Sequence, residues 1–407
     1  ATHSPAGLSS FGYSGTIAHT VAQHPALGLG LCPPVGTLRY NERAFPWQDA
    51  AAMESSRVRT RKYTTCWTVA PPQPCNVSVG LVIASRPTDA SSTLRQLPRP
   101  SQTVVVLLAG SVSAAPSLDG TRVAVALSQA MTVTTQAPQV LLLTCGTQAL
   151  TWDGSQAGSA QGGVWGIARV LRLEHASFRS RSMDVCRGIT VAHFGAPEPE
   201  VAWSCGSCYA ARLRSCLGAS VAERSALVAP GMYAITGGLG GLGLRAAQML
   251  TKRGATRVLL TSRSGRVVRE GQGLALQLDS LGAAAAAVAC DGADAPDSMM
   301  MLASPVAGVL HAAGAGDKGL LVGVSPSRLH LMFASKAYGA RHLQVAMATT
   351  SVELRIFFSS VGSALGNVGQ ANYAAGNATL DAHALSLRKH GSTACCIQWP
   401  LVGGAGM

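Results

Sequence analysis

Short apolar runs alternate with stretches whose apolar positions recur three and four residues apart, and the alternation is most regular between residues 231 and 407. There it predicts strands at 232–236, 256–261, 286–290, 306–311, 354–359 and 394–399. Between them it predicts helices over 242–253, 270–281, 325–348 and 371–390. Residues 63–225 alternate less evenly, with strands at 63–69, 77–84, 103–108, 139–144 and 183–185 and helices at 121–131 and 162–174. Strands alternating with helices imply βαβ units. The expected fold is α/β, with tandem Rossmann-like, doubly wound parallel sheets. Residues 1–62 are rich in Gly, Pro and polar residues and hold no helical period.

A length of 407 residues suits two or three domains. Hydrophobic residues at 47% against 13% charged exclude a disordered chain. No apolar run is long enough to span a bilayer, and no signal-peptide pattern opens the chain. The expected location is therefore inside the cell, cytoplasm or organelle, with no membrane partner. The first residue is Ala and the last stretch is Gly-rich, so a piece of a longer protein is expected. Lys and Arg number 32 against 19 Asp and Glu, a net charge of +13. These cations are scattered and few aromatics accompany them, which argues against nucleic acid. A basic surface suits an acidic protein partner or a phosphate-bearing cofactor. The 11 cysteines are irregularly spaced and read as reduced thiols; Cys205-Gly-Ser-Cys208 is a lone pair without the spacing of a zinc site.

The strongest local signal is Tyr233-Ala-Ile-Thr236-Gly237-Gly238-Leu239-Gly240-Gly241-Leu242-Gly243. A strand enters a glycine turn and then a helix, and Gly238, Gly240 and Gly243 form GxGxxG. Such a turn lets backbone approach a pyrophosphate at a helix N-terminus. Candidate cofactor contacts here are Thr236, Gly238, Leu239, Gly240, Leu242 and Gly243. The next strand ends at Ser262-Arg263, where an acid would otherwise hold a free ribose hydroxyl. A cation there favours NADP(H). Asp291, after the third strand, either meets the adenine or caps a turn. Ala312, Ala313 and Gly314 follow His311 at the end of the fourth strand and let the chain lie flat beside a nicotinamide ribose.

Two later segments would carry chemistry. Tyr373 and Asn377 stand four apart on a predicted helix, so they share a face. A tyrosine acting as acid near neutrality needs a nearby ammonium, since its free pKa is about 10. Lys336 is the candidate. Ser360 would hydrogen-bond a substrate carbonyl, and Asn377 would hold Lys336 or a water.

At these residues the chain resembles the ketoreductase domain of polyketide synthases, a branch of the short-chain dehydrogenase/reductase family. The matching stretches are 236–243, 261–265, 311–314, 357–382 and 398–400. The resemblance implies a catalytic set of Lys336, Ser360, Tyr373 and Asn377 in residues 231–407. It implies NADPH-dependent reduction of a β-ketoacyl thioester carried on the phosphopantetheine of an acyl carrier protein. Upstream, Gly162–His175, Asp184 and 209–213 resemble the structural subdomain that precedes such reductases, here 63–225. Residues 1–25, with 7–19 as the matching part, resemble the end of a ketosynthase domain, implying a neighbouring ketosynthase as partner; 26–62 resemble the linker that follows one. The family's Leu-Asp-Asp reads Gly316-Asp317-Lys318, its Trp of one stereochemical class is Leu365, and its Gly-Pro-Trp reads Pro400-Leu401-Val402. The chain ends at Met407, before the family's substrate lid helix, so 231–407 are expected to lack that lid. The alternative reading is a non-catalytic structural or docking fragment of a megasynthase.

Overall fold

The computed structural model describes residues 6–11, 17–22, 62–70, 78–84, 102–108, 115–132, 138–148, 158–185, 198–216, 228–268, 273–348, 350 and 352–402. The chain divides into two compact units, Ala1–Thr60 and Arg61–Met407. In the first, β1 (Ala6–Phe11) and β2 (Ile17–Ala22) pair as an antiparallel hairpin, Phe11 opposite Ile17. Of the ketosynthase-like 7–19, residues 7–11 and 17–19 fall on these strands; of the linker expected at 26–62, all but residue 62 lies outside the described residues.

The second unit holds both expected sheets. The first combines β3 (Lys62–Val69), β4 (Val79–Ala84), β5 (Thr103–Leu108), β6 (Gln139–Cys145), β7 (Ser180–Val185), β8 (Glu200–Ser204) and β9 (Ser207–Cys216). Its order is β3-β9-β8-β7-β6-β5-β4. Strands β4 to β8 are parallel, and β9 runs antiparallel to both β8 and β3. The β8–β9 hairpin, absent from the strands read in the sequence, turns on Cys205-Gly206, both at positive φ (48° and 75°). The lone Cys pair is thus a hairpin tip. Among the described residues of this half are the helices α1 (Asp119–Thr132) and α2 (Gly162–Glu174). Successive parallel strands add to one side only, so the order never reverses and no switch-point crevice opens. Asp184 here serves packing: it accepts from Thr144 Oγ1 (2.7 Å), Thr147 N (3.0 Å) and Gln148 N (2.9 Å).

The second sheet is wholly parallel. It contains β10 (Met232–Thr236), β11 (Arg257–Ser262), β12 (Ala285–Ala289), β13 (Gly308–His311), β14 (Leu354–Ser360) and β15 (Ala394–Trp399). Their order is β12-β11-β10-β13-β14-β15. The order reverses between β10 and β13, where Thr236 lies opposite His311. A crevice must open beyond the carboxyl ends of these two strands. Between strands run α3 (Gly241–Lys252), α4 (Leu274–Asp279) and α5 (Ala295–Met301). The α5 start is legible in retrospect: Asp294 caps it by accepting the Asp297 N–H, with a Pro in its first turn.

The helix expected over 325–348 is three pieces: α6 (Pro326–Phe333), a π-helical turn Ala334–Tyr338 and α7 (Gly339–Ala346). The Gly339 N–H reaches Ala334 O, one residue further back than an α-helix allows. Next come α8 (Val361–Leu365) and α9 (Ala371–Lys389).

Helices α2 and α9 join the two sheets. A Cβ on Gly162 would stand 2.7 Å from Ala382 Cβ, and one on Gly166 would sit inside the Ala374 carbonyl. Glycine lets the two backbones meet. Gly166→Ala is expected to cost about 1–3 kcal/mol or more, because backbone cannot yield as a flexible side chain can. Denaturant unfolding checks this, and an unchanged midpoint would contradict the close approach.

Candidate active site

Strand β10 delivers Thr236 to the reversal point, and the glycine turn follows. Gly237 is at φ 64°, and a Cβ there would lie 2.7 Å from Ala313 backbone. A Cβ on Gly238 would meet Ile235 O at 2.6 Å, and one on Gly243 would meet Gly237 O at 2.6 Å. These residues are required for the turn to close. Gly240 differs: it is exposed, caps α3, and would meet only Gly237 O at 3.3 Å. Its missing side chain leaves the mouth of α3 open, as approach of a diphosphate demands. Leu239 is buried in the core beside Leu242, so both offer backbone, not side chain. Ser262 ends β11 and the neighbouring Arg263 is exposed. Asp291 caps its turn, Oδ1 accepting the Ala293 N–H at 3.0 Å, a bond compatible with an adenine contact as well. The donor set fits a dinucleotide: glycine cradle, open helix start, and a cation with a neighbouring hydroxyl.

Beyond β13, Ala312 N–H donates to Thr236 O at 3.0 Å, laying Ala312-Ala313-Gly314 along the turn. A Cβ on Gly314 would meet Lys336 Cε at 3.1 Å and Nζ at 3.2 Å. A side chain there would press the end of the lysine aside by a few tenths of an ångström.

Lys336 sits in the π-turn, 4% exposed. Its Nζ donates to Phe358 O at 3.2 Å and approaches Ala313 O at 3.5 Å. It also stands 5.6 Å from the centre of the Tyr373 ring. Burial pulls this ammonium down to about 8, though the acids nearby favour the charge. His311, not singled out for a role from the sequence, explains the π-turn. Its Nε2 lies 3.0 Å from Lys336 O, and its Nδ1 2.7 Å from Thr236 Oγ1. A carbonyl only accepts, so Nε2 carries the hydrogen and the Thr236 hydroxyl donates to Nδ1. Burial, then the Lys336 charge, push His311 down to about 3, so the ring is neutral.

Ser360 ends β14 and caps α8, its Oγ accepting the Gly362 N–H at 3.1 Å. That leaves the hydroxyl proton to donate. Tyr373 is on the first turn of α9, half-buried, its N–H held by Asn372 Oδ1 at 2.9 Å. Asn377, fully buried, donates Nδ2–H to Tyr373 O at 2.9 Å, while its Oδ1 has no partner. A buried acceptor without a donor is costly, so this oxygen awaits a water or an ammonium proton.

Behind these groups lies a second set that the motifs did not show. Asp317 accepts from Arg328 Nε (2.9 Å) and Nη2 (2.6 Å) and from Asn372 Nδ2. The Arg328 hydrogen bonds hold its carboxyl below the ordinary range. Ser363 Oγ lies 2.6 Å from Asp381 Oδ2, and Arg169 Nη1 of α2 donates to Ser363 O at 2.6 Å. Their sequence separation hides them; only folding brings them together.

The arrangement predicts an alkaline limit. Lys336 loses its proton as pH rises through about 8, and the positive charge beside Tyr373 goes with it. A proton-transfer rate assisted by that charge should fall above this pH. Stability moves the other way: between about 8 and the free-lysine value near 10.4 the unfolded chain binds more protons, so unfolding free energy rises with pH. A pH–rate profile flat to pH 10 would contradict the role of Lys336.

Residues 231–404 match the family model of the KR domain. Polyketide synthase GfsB of Streptomyces halstedii is 32% identical over 280 residues, covering 63% of this chain and 5% of that protein. The 6-methylsalicylic acid synthase of Aspergillus terreus is 36% identical over 198 residues, covering 43% of this chain and 11% of that one. The chain thus spans a small fraction of the curated relatives it matches. Among solved structures, A-type ketoreductases from a modular polyketide synthase give a TM-score of 0.74 at 25% identity, covering 85% of this chain and 84% of theirs. A C2-type ketoreductase gives 0.66 at 25% identity, over 84% and 85%.

Proposed function

We propose that the chain, whose residues 231–404 match the model of the KR domain, reduces a β-ketoacyl thioester to the β-hydroxyacyl thioester with NADPH during polyketide assembly. The carrying observation is the buried Lys336 ammonium, 5.6 Å from the Tyr373 ring and packed on Gly314 at the reversal of the sheet. Bound NADPH would supply the hydride that forms the new C–H bond at the β-carbon, leaving NADP⁺. Ser360 donates its hydroxyl proton toward the ketone oxygen and holds it in place. Tyr373 gives its phenolic proton to that oxygen as negative charge develops there. Lys336 stabilises the resulting phenolate. Asn377 Oδ1 holds the water through which the phenol is reprotonated. Thr236, the glycines of the turn, Ala312, Ala313 and Gly314 would hold the cofactor.

We place the acyl chain on the phosphopantetheine arm of an acyl carrier protein, inside the cell, next to a ketosynthase domain. What supports this is the size of the multidomain relatives, of which the chain spans 5% and 11%, and the ketosynthase-like hairpin segment. Among the described residues no helix is long and apolar enough to cross a membrane.

The test is consumption of NADPH with a β-ketoacyl thioester, with the β-hydroxy product identified. Cofactor binding without turnover would return the chain to the non-catalytic reading. Arg263 assigns the phosphate: Arg263→Ala should weaken NADPH binding by about tenfold or more, the value of one charge-assisted contact, and leave NADH binding alone. Equal weakening of both would remove Arg263 from the 2′-phosphate site.

A further inference from the structure

Helix α2 ends on Glu174. A carboxylate there faces the negative end of the helix dipole, so it does not serve the helix. Both its oxygens are committed to backbone amides of the other half of the unit. Oε2 accepts the Leu321 N–H at 2.7 Å, and Oε1 accepts the Gly369 N–H at 2.7 Å. These amides belong to the two loops that flank Tyr373: one runs from Gly314 past Asp317 to Val324, the other from Gly366 into α9. The loops also meet each other, with Gly319 N–H donating to Gly369 O at 2.9 Å and Gly319 bridging to Gln370. From Asp317 the contacts continue through Asn372 to the Tyr373 N–H. Gln129 of α1 grips only the first loop, its Nε2 lying 3.2, 3.1 and 3.0 Å from the carbonyls of Leu321, Val322 and Val324.

We propose that Glu174 is a positioning residue whose carboxylate clamps both loops and thereby fixes how a ketone is presented to Tyr373. Its catalytic consequence rests on the ketoreductase reading; the clamp does not. The two loops are far apart in sequence, and Glu174 is the one side chain among the described residues shown bonding to backbone N–H groups of both. Losing it frees the second loop as well as the first, which loss of Gln129 cannot do.

Glu174→Gln keeps the shape but turns one acceptor into a donor facing an N–H. The test measures hydrogen exchange in the full chain, NADPH affinity, thioester turnover and the ratio of the two β-hydroxy enantiomers, with Gln129→Ala as companion. In Glu174→Gln, exchange should quicken about tenfold in both 316–324 and 366–373 but not in 232–262. Gln129→Ala should quicken 316–324 alone. Turnover per KM should fall roughly 10–100-fold through misplacement of the ketone, NADPH affinity should hold, and the enantiomer ratio should move toward unity. Unchanged exchange in either loop of Glu174→Gln overturns the clamp. So does a loss of turnover matched by an equal loss of NADPH affinity with the enantiomer ratio intact, which would mark Glu174 as a support of the fold alone. A wild-type chain inert toward the thioester defeats the reaction reading, and the exchange contrast between the two variants still decides the clamp.

Discussion

The Tyr373→Phe variant is expected to bind NADPH like the wild type and to reduce the thioester roughly 10²–10⁴-fold more slowly, the usual weight of a positioned proton donor. The expectation follows from what the substitution leaves in place. Phenylalanine keeps the ring that lies 5.6 Å from Lys336 Nζ and the backbone N–H held by Asn372. It also keeps Asn377 Nδ2 on the carbonyl of residue 373. Only the phenolic proton is lost. Stopped-flow measurement of the reduction step, beside a binding titration, separates these effects. A variant within twofold of wild type in that step would remove Tyr373 as the acid, whatever the fate of the other assignments.

Glu200→Gln should be the most destabilising single change, costing on the order of 3–5 kcal/mol, because it strands two buried guanidinium groups. Glu200 binds Arg169 through both oxygens, at 2.7 Å each, and also pairs with Arg172. All three side chains are largely buried, at 15%, 20% and 13% exposure for Arg169, Arg172 and Glu200. Burial pushes the Glu200 carboxyl up, and the two cations outweigh it, so the group titrates below its ordinary value. Its contribution is therefore present above the unfolded glutamate value near 4.3 and is lost as pH falls through the lower native value. The consequence reaches the site, since Arg169 also holds the carbonyl of Ser363, three residues after Ser360. Urea unfolding of Glu200→Gln checks the magnitude. Pairing it with apolar replacements of both arginines should restore much of the loss, as an apolar cluster carries no stranded charge. A loss under about 1 kcal/mol would show that the triad is solvated in solution.

Much of the half built on the second sheet was legible in the chain. Strands 232–236 and 394–399 stand where their apolar runs placed them, and Gly162–Glu174 is helical over its predicted length. Parallel strands buried on both faces read as continuous apolar runs, and glycine marks their turns. Lys336, Ser360, Tyr373 and Asn377 belong to elements that the same pattern located. The need of Tyr373 for an ammonium pointed to Lys336, but the π-turn that holds the lysine, with His311 Nε2 on Lys336 O, was not legible. Periodicity carries no trace of such a bond, so 325–348 read as one helix.

The first sheet was less legible for a different reason. The run Cys205-Gly206-Ser207-Cys208 drew notice for its thiols, and the hairpin turn formed by Cys205 and Gly206 passed unread. Position-specific roles were hardest. Glu174 and Gly369 are 195 residues apart, and Arg169 and Ser363 are 194 apart. No local rule connects them. For Asp291 the sequence offered adenine or a turn, and the 3.0 Å bond to Ala293 N–H supplies the turn.

The central claim is that hydride passes to a β-ketoacyl thioester in the crevice between β10 and β13. The most direct measurement uses NADPH carrying deuterium at the transferable position, with a β-ketoacyl thioester and the full chain. The account predicts a β-hydroxy thioester bearing one deuterium on its β-carbon, formed at the rate at which nicotinamide absorbance falls. Cofactor bound tightly, with no labelled product over many hours, would contradict it.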